Sequence, residues 1–162
     1  MKIRLCFVCL GNICRSPTAE GIMRSLLEEA GLEEIVEVES AGTGADHAGE
    51  EPDPRTHEAA AENGVSLAGS ARQFEIEDFD EFEYVLAMDG ENRDELSSLA
   101  PDEGAEEKIF LVRDFEPNAR RDQDVPDPYY GGSDGFEKTF QILDRACRGL
   151  LEHLVAHHEL PS

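Results

Sequence analysis

A short stretch near the start of the chain, Cys9-Leu10-Gly11-Asn12-Ile13-Cys14-Arg15-Ser16, does most to limit what this protein can be. It follows an apolar run, Ile3 to Val8, and leads into Pro17-Thr18-Ala19-Glu20. The run reads as a buried strand, the middle as a tight loop, and the last part as the start of a helix. Pro17 suits a first helical turn, and Glu20 adds negative charge to it. A turn from strand end to helix start directs successive backbone N–H groups into one concavity. The helix dipole adds partial positive charge there. A chain built this way holds an anion at the carboxyl edge of a sheet.

The residue types fit that cradle. An isolated thiol titrates near ~8.5 and is mostly protonated at neutral pH. Cys9, ringed by N–H donors and close to Arg15, is expected to be a thiolate nucleophile. Arg15 presents a planar fork that grips two phosphate oxygens at once, which lysine cannot reproduce. Gly11 lets the loop curl tightly. Asn12 tolerates the left-handed region and can pin the loop through its amide. Ser16 can donate a hydrogen bond to the Cys9 sulfur.

Attack on phosphorus leaves an oxygen that needs a proton. The candidate acid is Asp127, within Val125-Pro126-Asp127-Pro128-Tyr129-Tyr130-Gly131-Gly132. The prolines stiffen this segment and the glycines allow a sharp exit. An aspartate there would protonate the leaving group and then activate water.

The rest of the chain alternates strand and helix. Strands are predicted at Ile3–Val8, Ile35–Ser40, Glu83–Met88 and Ile109–Leu111. Helices are predicted at Thr18–Ala30, Thr56–Asn63, Ile76–Phe79, Glu91–Leu99 and Gly135–His153. Phe136, Phe140, Leu143, Cys147, Leu150 and Leu154 form a core stripe on the last helix. The alternation predicts an α/β fold, a single domain with a central four-stranded parallel sheet and helices on both faces. The domain is expected over residues 1–157, with 158–162 as a tail. His153, His157 and His158 are read as part of a solvated, fraying C-terminus.

Several stretches together resemble the low-molecular-weight protein tyrosine phosphatase family. They are Val8 to Pro17, Ser40-Ala41-Gly42-Thr43, Pro52-Asp53-Pro54-Arg55, Ala71-Arg72-Gln73, Ala87-Met88-Asp89 and Val125 to Tyr129, collinear across almost the whole chain. The resemblance implies hydrolysis of phosphotyrosine monoesters through a phosphocysteine on Cys9, with Arg15 binding phosphate and Asp127 as general acid. Leu10, Gly11, Asn12, Ile13, Cys14 and Ser16 would line the phosphate and ring site, with Asn12 and Ser40 holding the loop. Tyr129 would wall the slot, and Cys14 would be a redox partner for Cys9. Two positions depart from the family's pattern. Asp46, with His47 beside it, stands where relatives often carry an aromatic or bulky apolar wall. Gly69, followed by Ser70, stands where many relatives place a histidine in the loop-supporting network.

Composition narrows the alternatives. With 37 acidic against 14 basic residues the formal charge is -23, and the only lysines are Lys2, Lys108 and Lys138. No basic patch is available for nucleic acid. The acidity reads as a solvated surface, with adaptation to a high-salt interior as the sharper alternative. No apolar stretch is long enough to span a membrane, and no signal-peptide pattern is present. Four cysteines, two of them in the loop, fit a reducing cytoplasm. Cys6 and Cys147 read as small buried apolar residues. An arsenate reductase of the thioredoxin-coupled type would need a further cysteine pair, and only Cys147 follows Cys14. Protein-arginine phosphatases carry a smaller threonine where Ile13 stands, although Asp46 would suit a cationic phosphoarginine. Zinc would need a second ligand pair beside Cys9 and Cys14. A pure binding module would have no use for both Cys9 and Asp127. The chain is therefore expected to be a monomeric enzyme acting, without metal or cofactor, on phosphotyrosine proteins or small aryl phosphates.

Overall fold

The computed structural model describes residues 2–119, 123–128 and 134–161. Tyr129, Tyr130, Gly131 and Gly132 lie outside the described residues. Four strands, β1 (Ile3–Cys9), β2 (Val36–Gly42), β3 (Tyr84–Ala87) and β4 (Ile109–Leu111), form one all-parallel sheet in the order β2-β1-β3-β4. The helices are α1 (Arg15–Ala30), α2 (Pro54–Glu62), α3 (Asp78–Glu81), α4 (Gly90–Leu99), α5 (Glu103–Glu106) and α6 (Asp134–His157). A 3-10 turn covers Val112–Phe115.

Alternation along β1 explains why the run is apolar at every position but Arg4. Ile3, Leu5, Phe7 and Cys9 join one buried cluster with α1 and α6, including Ile22, Met23, Leu143, Cys147 and Leu150. Cys6 and Val8 face the opposite cluster with Phe74, Phe79, Phe82 and Leu96. A strand covered on both faces has no solvent side to make polar. The stripe foreseen on the last helix is buried at all six positions.

The element boundaries differ in instructive ways. α1 begins at Arg15, not Thr18, so Glu20 falls beyond its first turn and does not serve the helix end. α3 begins at Asp78, not Ile76, and Ile76 is exposed. α5 was not foreseen; Asp102 starts it by accepting a hydrogen bond from Ala105 N.

The imidazoles near the C-terminus are solvated only in part: His153 and His157 are exposed, as expected, while His158 is half-buried. Leu160 N donates to Val155 O, which turns the chain back and buries Leu160. Tyr84 Oη and His158 Nε2 are hydrogen-bonded at 2.8 Å. His153 packs against Tyr84 and Phe115 at ring separations of 6.1 and 5.0 Å. Burial, reinforced by the neighbouring imidazoles, pushes His153 and His158 below the usual histidine value. No helix among the described residues is long and apolar enough to cross a membrane.

Candidate active site

The carboxyl ends of β1 and β3 and the start of α1 converge on one cleft. It is lined by Cys9, Leu10, Gly11, Ile13, Cys14, Arg15, Gly44, Asp46, His47 and Asp127. The backbone explains why a cradle forms here. Carbonyls of the loop point outward and are satisfied from outside it. Cys9 O accepts from Thr43 N at 2.8 Å, Leu10 O from Gly44 N at 3.0 Å, and Ile13 O from Asp53 N at 2.8 Å. Cys14 O accepts from Thr18 N at 3.2 Å and from Thr18 Oγ1 at 2.8 Å. In a trans peptide the next N–H points opposite to the carbonyl. The amides of Leu10, Gly11, Cys14 and Arg15 therefore turn toward the cleft.

Two special backbone positions make this clasp possible. Asn12 adopts φ 58°, the left-handed region that asparagine tolerates better than most residues. A Cβ on Gly42 would lie 2.7 Å from Leu10 O, so only glycine lets β2 approach the loop so closely.

Inside the clasp the buried polar groups are paired. Cys9 Sγ lies 3.0 Å from Ser16 Oγ. Asn12 Nδ2 donates to Ser16 Oγ at 2.8 Å and to Ser40 Oγ at 3.0 Å, while Asn12 Oδ1 accepts from Arg72 N at 3.0 Å. Ser40 Oγ in turn donates to Glu20 Oε1 at 2.6 Å. The network thus ends on Glu20, with no side chain from Gly69 to take part in it.

Arg15 is almost completely buried. Its Nη1 donates to Asp89 Oδ2 at 2.7 Å and to Val125 O at 3.0 Å, and its Nη2 stands 3.7 Å from Asp127 Oδ2. Burial opposes its charge, but the Cys9 sulfur, Asp89 and Asp127 outweigh that and raise its pKa. Asp89 also caps α4, accepting from Asn92 N at 2.8 Å. The Asp127 segment is tied to the same strand end, because Val125 N donates to Met88 O and Asp124 Oδ1 accepts from Gly90 N. These ties bring the carboxylate of Asp127 over the guanidinium.

Cys14 is buried beneath the loop. Burial pushes its thiol up to about 12, against the opposing influence of the Thr56 hydroxyl. Ile13 packs with Cys14, Ala59, Ala71 and Phe136. Asp46 and His47 form the far rim. A Cβ on Gly11 would come 3.0 Å from His47 Cδ2, so the imidazole lies directly against the loop backbone. His47 Nδ1 is 2.9 Å from Glu50 Oε2.

The structure therefore brings Cys9, Leu10, Gly11, Ile13, Cys14, Arg15, Asp46 and Asp127 to one cleft, with Asn12, Ser16 and Ser40 hydrogen-bonded behind its loop. Tyr129 lies outside the described residues. Sequence reasoning named Asp89 and His47 only as neighbours in matching stretches and read Glu20 only as charge at the helix start, so the contacts of Asp89 with Arg15, of Glu20 with Ser40 and of the His47 ring with the loop were not foreseen. A signal for Asp89 existed: a carboxylate directly after a buried strand and before a helix both caps that helix and faces the neighbouring strand's loop.

Comparison with known proteins agrees with this geometry. The family model described as low molecular weight phosphotyrosine protein phosphatase matches residues 4–160. A low molecular weight protein-tyrosine-phosphatase of Streptomyces coelicolor is 48% identical over 93% of each chain. The crystal structure of a protein tyrosine phosphatase from Entamoeba histolytica, with Hepes in its active site, superposes with a TM-score of 0.91. It is 37% identical and covers 98% of this chain and 100% of its own. The YwlE arginine phosphatase of Bacillus subtilis is more distant, at 28% identity and a TM-score of 0.86 over 98% of this chain and 100% of its own.

Proposed function

The chain belongs to the low molecular weight phosphotyrosine protein phosphatase family, and from that premise we propose how its own residues carry out phosphotyrosine hydrolysis. The observation that carries this reading is the pairing of Cys9 Sγ with Ser16 Oγ at 3.0 Å, beneath a guanidinium flanked by Asp127.

Arg15 and the inward amides of the loop hold the phosphate oxygens and take up charge as the transition state forms. The Cys9 thiolate attacks phosphorus in line, and the phosphorus–oxygen bond to tyrosine breaks. Asp127, protonated, gives its proton to the departing phenolic oxygen. In the second step Asp127 as carboxylate takes a proton from water. That water attacks phosphorus, and the sulfur leaves as thiolate, stabilised by the Ser16 hydroxyl. Leu10, Gly11, Ile13 and Cys14 line the binding site, and Asn12 and Ser40 hold its shape. Ser16 and Arg15 contribute from the first turn of α1, while Asp46 contacts what flanks the phosphotyrosine.

Phosphotyrosine is favoured over phosphoarginine because Ile13 narrows the floor of the cleft with an apolar side chain. A guanidinium next to the phosphorus would leave its donors facing that apolar wall. Asp46 pulls in the opposite direction, but it sits at the rim, where solvent screens it. We also assign Cys14 as redox partner of Cys9. Peroxide oxidises Cys9 to a sulfenic acid, and the Cys14 thiol displaces water from it to form a disulfide. Peroxide treatment followed by thiol recovery checks that step: Cys14→Ser should recover less activity than the parent, and equal recovery would remove Cys14 from the scheme. The enzyme is expected to act as a monomer in the cytoplasm.

The test of the main reading is hydrolysis of a phosphotyrosine peptide and a phosphoarginine peptide side by side in EDTA, with Cys9→Ser as control. Preference for phosphotyrosine, abolished in the control, is the expected result. Faster turnover of phosphoarginine would mean that Asp46 outweighs Ile13.

A further inference from the structure

We propose that Arg113, held by Glu116, is a positioning residue for Asp127: its guanidinium fixes the peptide unit from which the aspartate segment extends over the cleft. The proposal rests on the reading of Asp127 as general acid, and it concerns what directs that carboxyl group.

The segment needs outside donors to hold its shape. Pro126 and Pro128 bring no N–H, so the stretch from Asp124 to Pro128 cannot be held by a regular ladder. Its carbonyls are instead met by side-chain donors from three elements. Arg113 Nη1 donates to Asp124 O at 2.9 Å, Arg15 Nη1 to Val125 O at 3.0 Å, and Thr139 Oγ1 to Pro126 O at 3.4 Å. Asp124 O and the N–H of Val125 belong to one planar unit. That unit is clamped from both sides, because Val125 N donates to Met88 O at 2.8 Å. With the Met88 bond alone, the plane could rock about it. The bond from Gly90 N reaches only the side chain of Asp124 and does not stop that rocking. Pro126 holds φ at about −65°, so a tilt of the clamped unit is carried on to Asp127 with little loss. Arg15 cannot replace Arg113 as the fixed point, since it also serves Asp89 and the phosphate.

Arg113 stands on a rigid base. It lies in the 3-10 turn directly after β4, where residues three apart eclipse one another, so Glu116 falls beside it. Arg113 Nε donates to Glu116 Oε2 at 2.6 Å, and Arg145 Nε of α6 donates to Glu116 Oε1 at 3.1 Å. With Nε on the carboxylate and Nη1 on Asp124 O, the planar fork has one orientation. Arg113 and Glu116 are both buried. The turn is seated closely on α6, for a Cβ on Gly149, one helical turn beyond Arg145, would collide with Phe115 O. A buried ion pair adds little stability over apolar side chains of the same volume. What this pair supplies, and an apolar pair would not, is a directed donor for Asp124 O.

Leaving-group dependence separates positioning from stability. kcat/KM is measured for aryl phosphates whose phenols range from good to poor leaving groups. The parent, Asp127→Asn, the pair variant Arg113→Met/Glu116→Met and the combination of all three changes are compared. Replacing both partners keeps the volume and leaves neither charge buried alone, which favours a retained fold. The pair variant should lose about tenfold on phenyl phosphate and no more than about twofold on an activated nitrophenyl ester, as expected for a proton donor moved out of line. Added to Asp127→Asn, the pair changes should bring no further loss specific to the poor leaving group, because the acid they direct is already gone. A loss equal across the series, an unchanged series, or a loss that adds in full to that of Asp127→Asn would overturn the proposal. Should the pair variant fail to fold, Arg113→Gln decides. Its amide nitrogen stands where Nε stood, so Glu116 keeps a donor while Asp124 O loses one, and a series like the parent's overturns the proposal. Failure of the general-acid reading would appear in Asp127→Asn itself, as a loss no larger for phenyl phosphate than for the nitrophenyl ester, and would overturn both.

Discussion

The two edges of the sheet use similar building blocks for opposite ends. At the carboxyl edge, where β1 and β3 finish, Asn12, Arg15 and Ser16 are buried and polar, and each has named hydrogen-bond partners. At the amino edge, where β3 begins, Tyr84, Phe110, Phe115, His153 and His158 close the core by ring packing. A buried polar network is costly unless every member is satisfied, so its geometry is narrow. Ring packing tolerates small shifts. The comparison teaches that damage at the first edge should appear in rate, and damage at the second in stability.

The largest effect expected at the carboxyl edge, short of losing Cys9, is in Asp127→Asn. This variant keeps the shape but has no proton to give, and kcat should fall by ~10²–10⁴-fold. The fall should be smaller for an aryl phosphate whose phenol leaves readily, and the melting temperature should hardly move. An equal loss for good and poor leaving groups would mean that Asp127 acts only through Arg15.

The comparison sharpens with Leu150→Ala, on the fully buried stripe of α6 and away from the cleft. It should cost about 2–5 kcal/mol in chemical denaturation, while kcat/KM of the folded fraction stays near that of the parent. A rate loss matching that of Asp127→Asn would break the division between the edges.

The smallest effect lies with the imidazoles. His158 titrates below the usual histidine value because burial disfavours its charged form, with His157 adding to the effect and Glu83 opposing it. Stability from this group is present above the ordinary value near ~6.5 and is lost as pH falls through the lower folded-state value, because the unfolded chain binds the proton more readily. Melting temperature should therefore drop over that window, and His158→Gln should flatten the drop. A steeper drop in the variant would assign the acid sensitivity to other groups.

How much of this was legible in the sequence follows the same division. The strand–loop–helix unit and its parallel α/β setting could be read because residues 3–30 carry their signals locally: an apolar run interrupted only by Arg4, a glycine, a proline and a helical stripe. Cys9, Arg15 and Ser16 were legible for the same reason. Asp127 was singled out by its flanking prolines. What the sequence did not reveal depends on register. Pairing of Val8 with Ala87 brings Asp89 within reach of Arg15, and pairing of Phe7 with Ser40 brings β2 beside the loop. Register sets both contacts, and the only local sign of either is the place of Asp89 between a buried strand and a helix. Glu20 was misread for a related reason. Once α1 begins at Arg15, the carboxylate lies beyond the first turn and faces Ser40 instead. His153 and His157 are exposed, as the sequence suggested, but the hydrogen-bond partner of His158, Tyr84, comes from a distant strand and left no local sign.

The central claim is that the phosphoryl group passes through Cys9. The most direct measurement is a denaturing quench of the enzyme during turnover of a phosphotyrosine peptide, followed by peptide mapping of the trapped phosphoryl group. The account predicts the label on Cys9 and neither label nor turnover in Cys9→Ser. A label on any other residue, or hydrolysis that survives in Cys9→Ser, would contradict it.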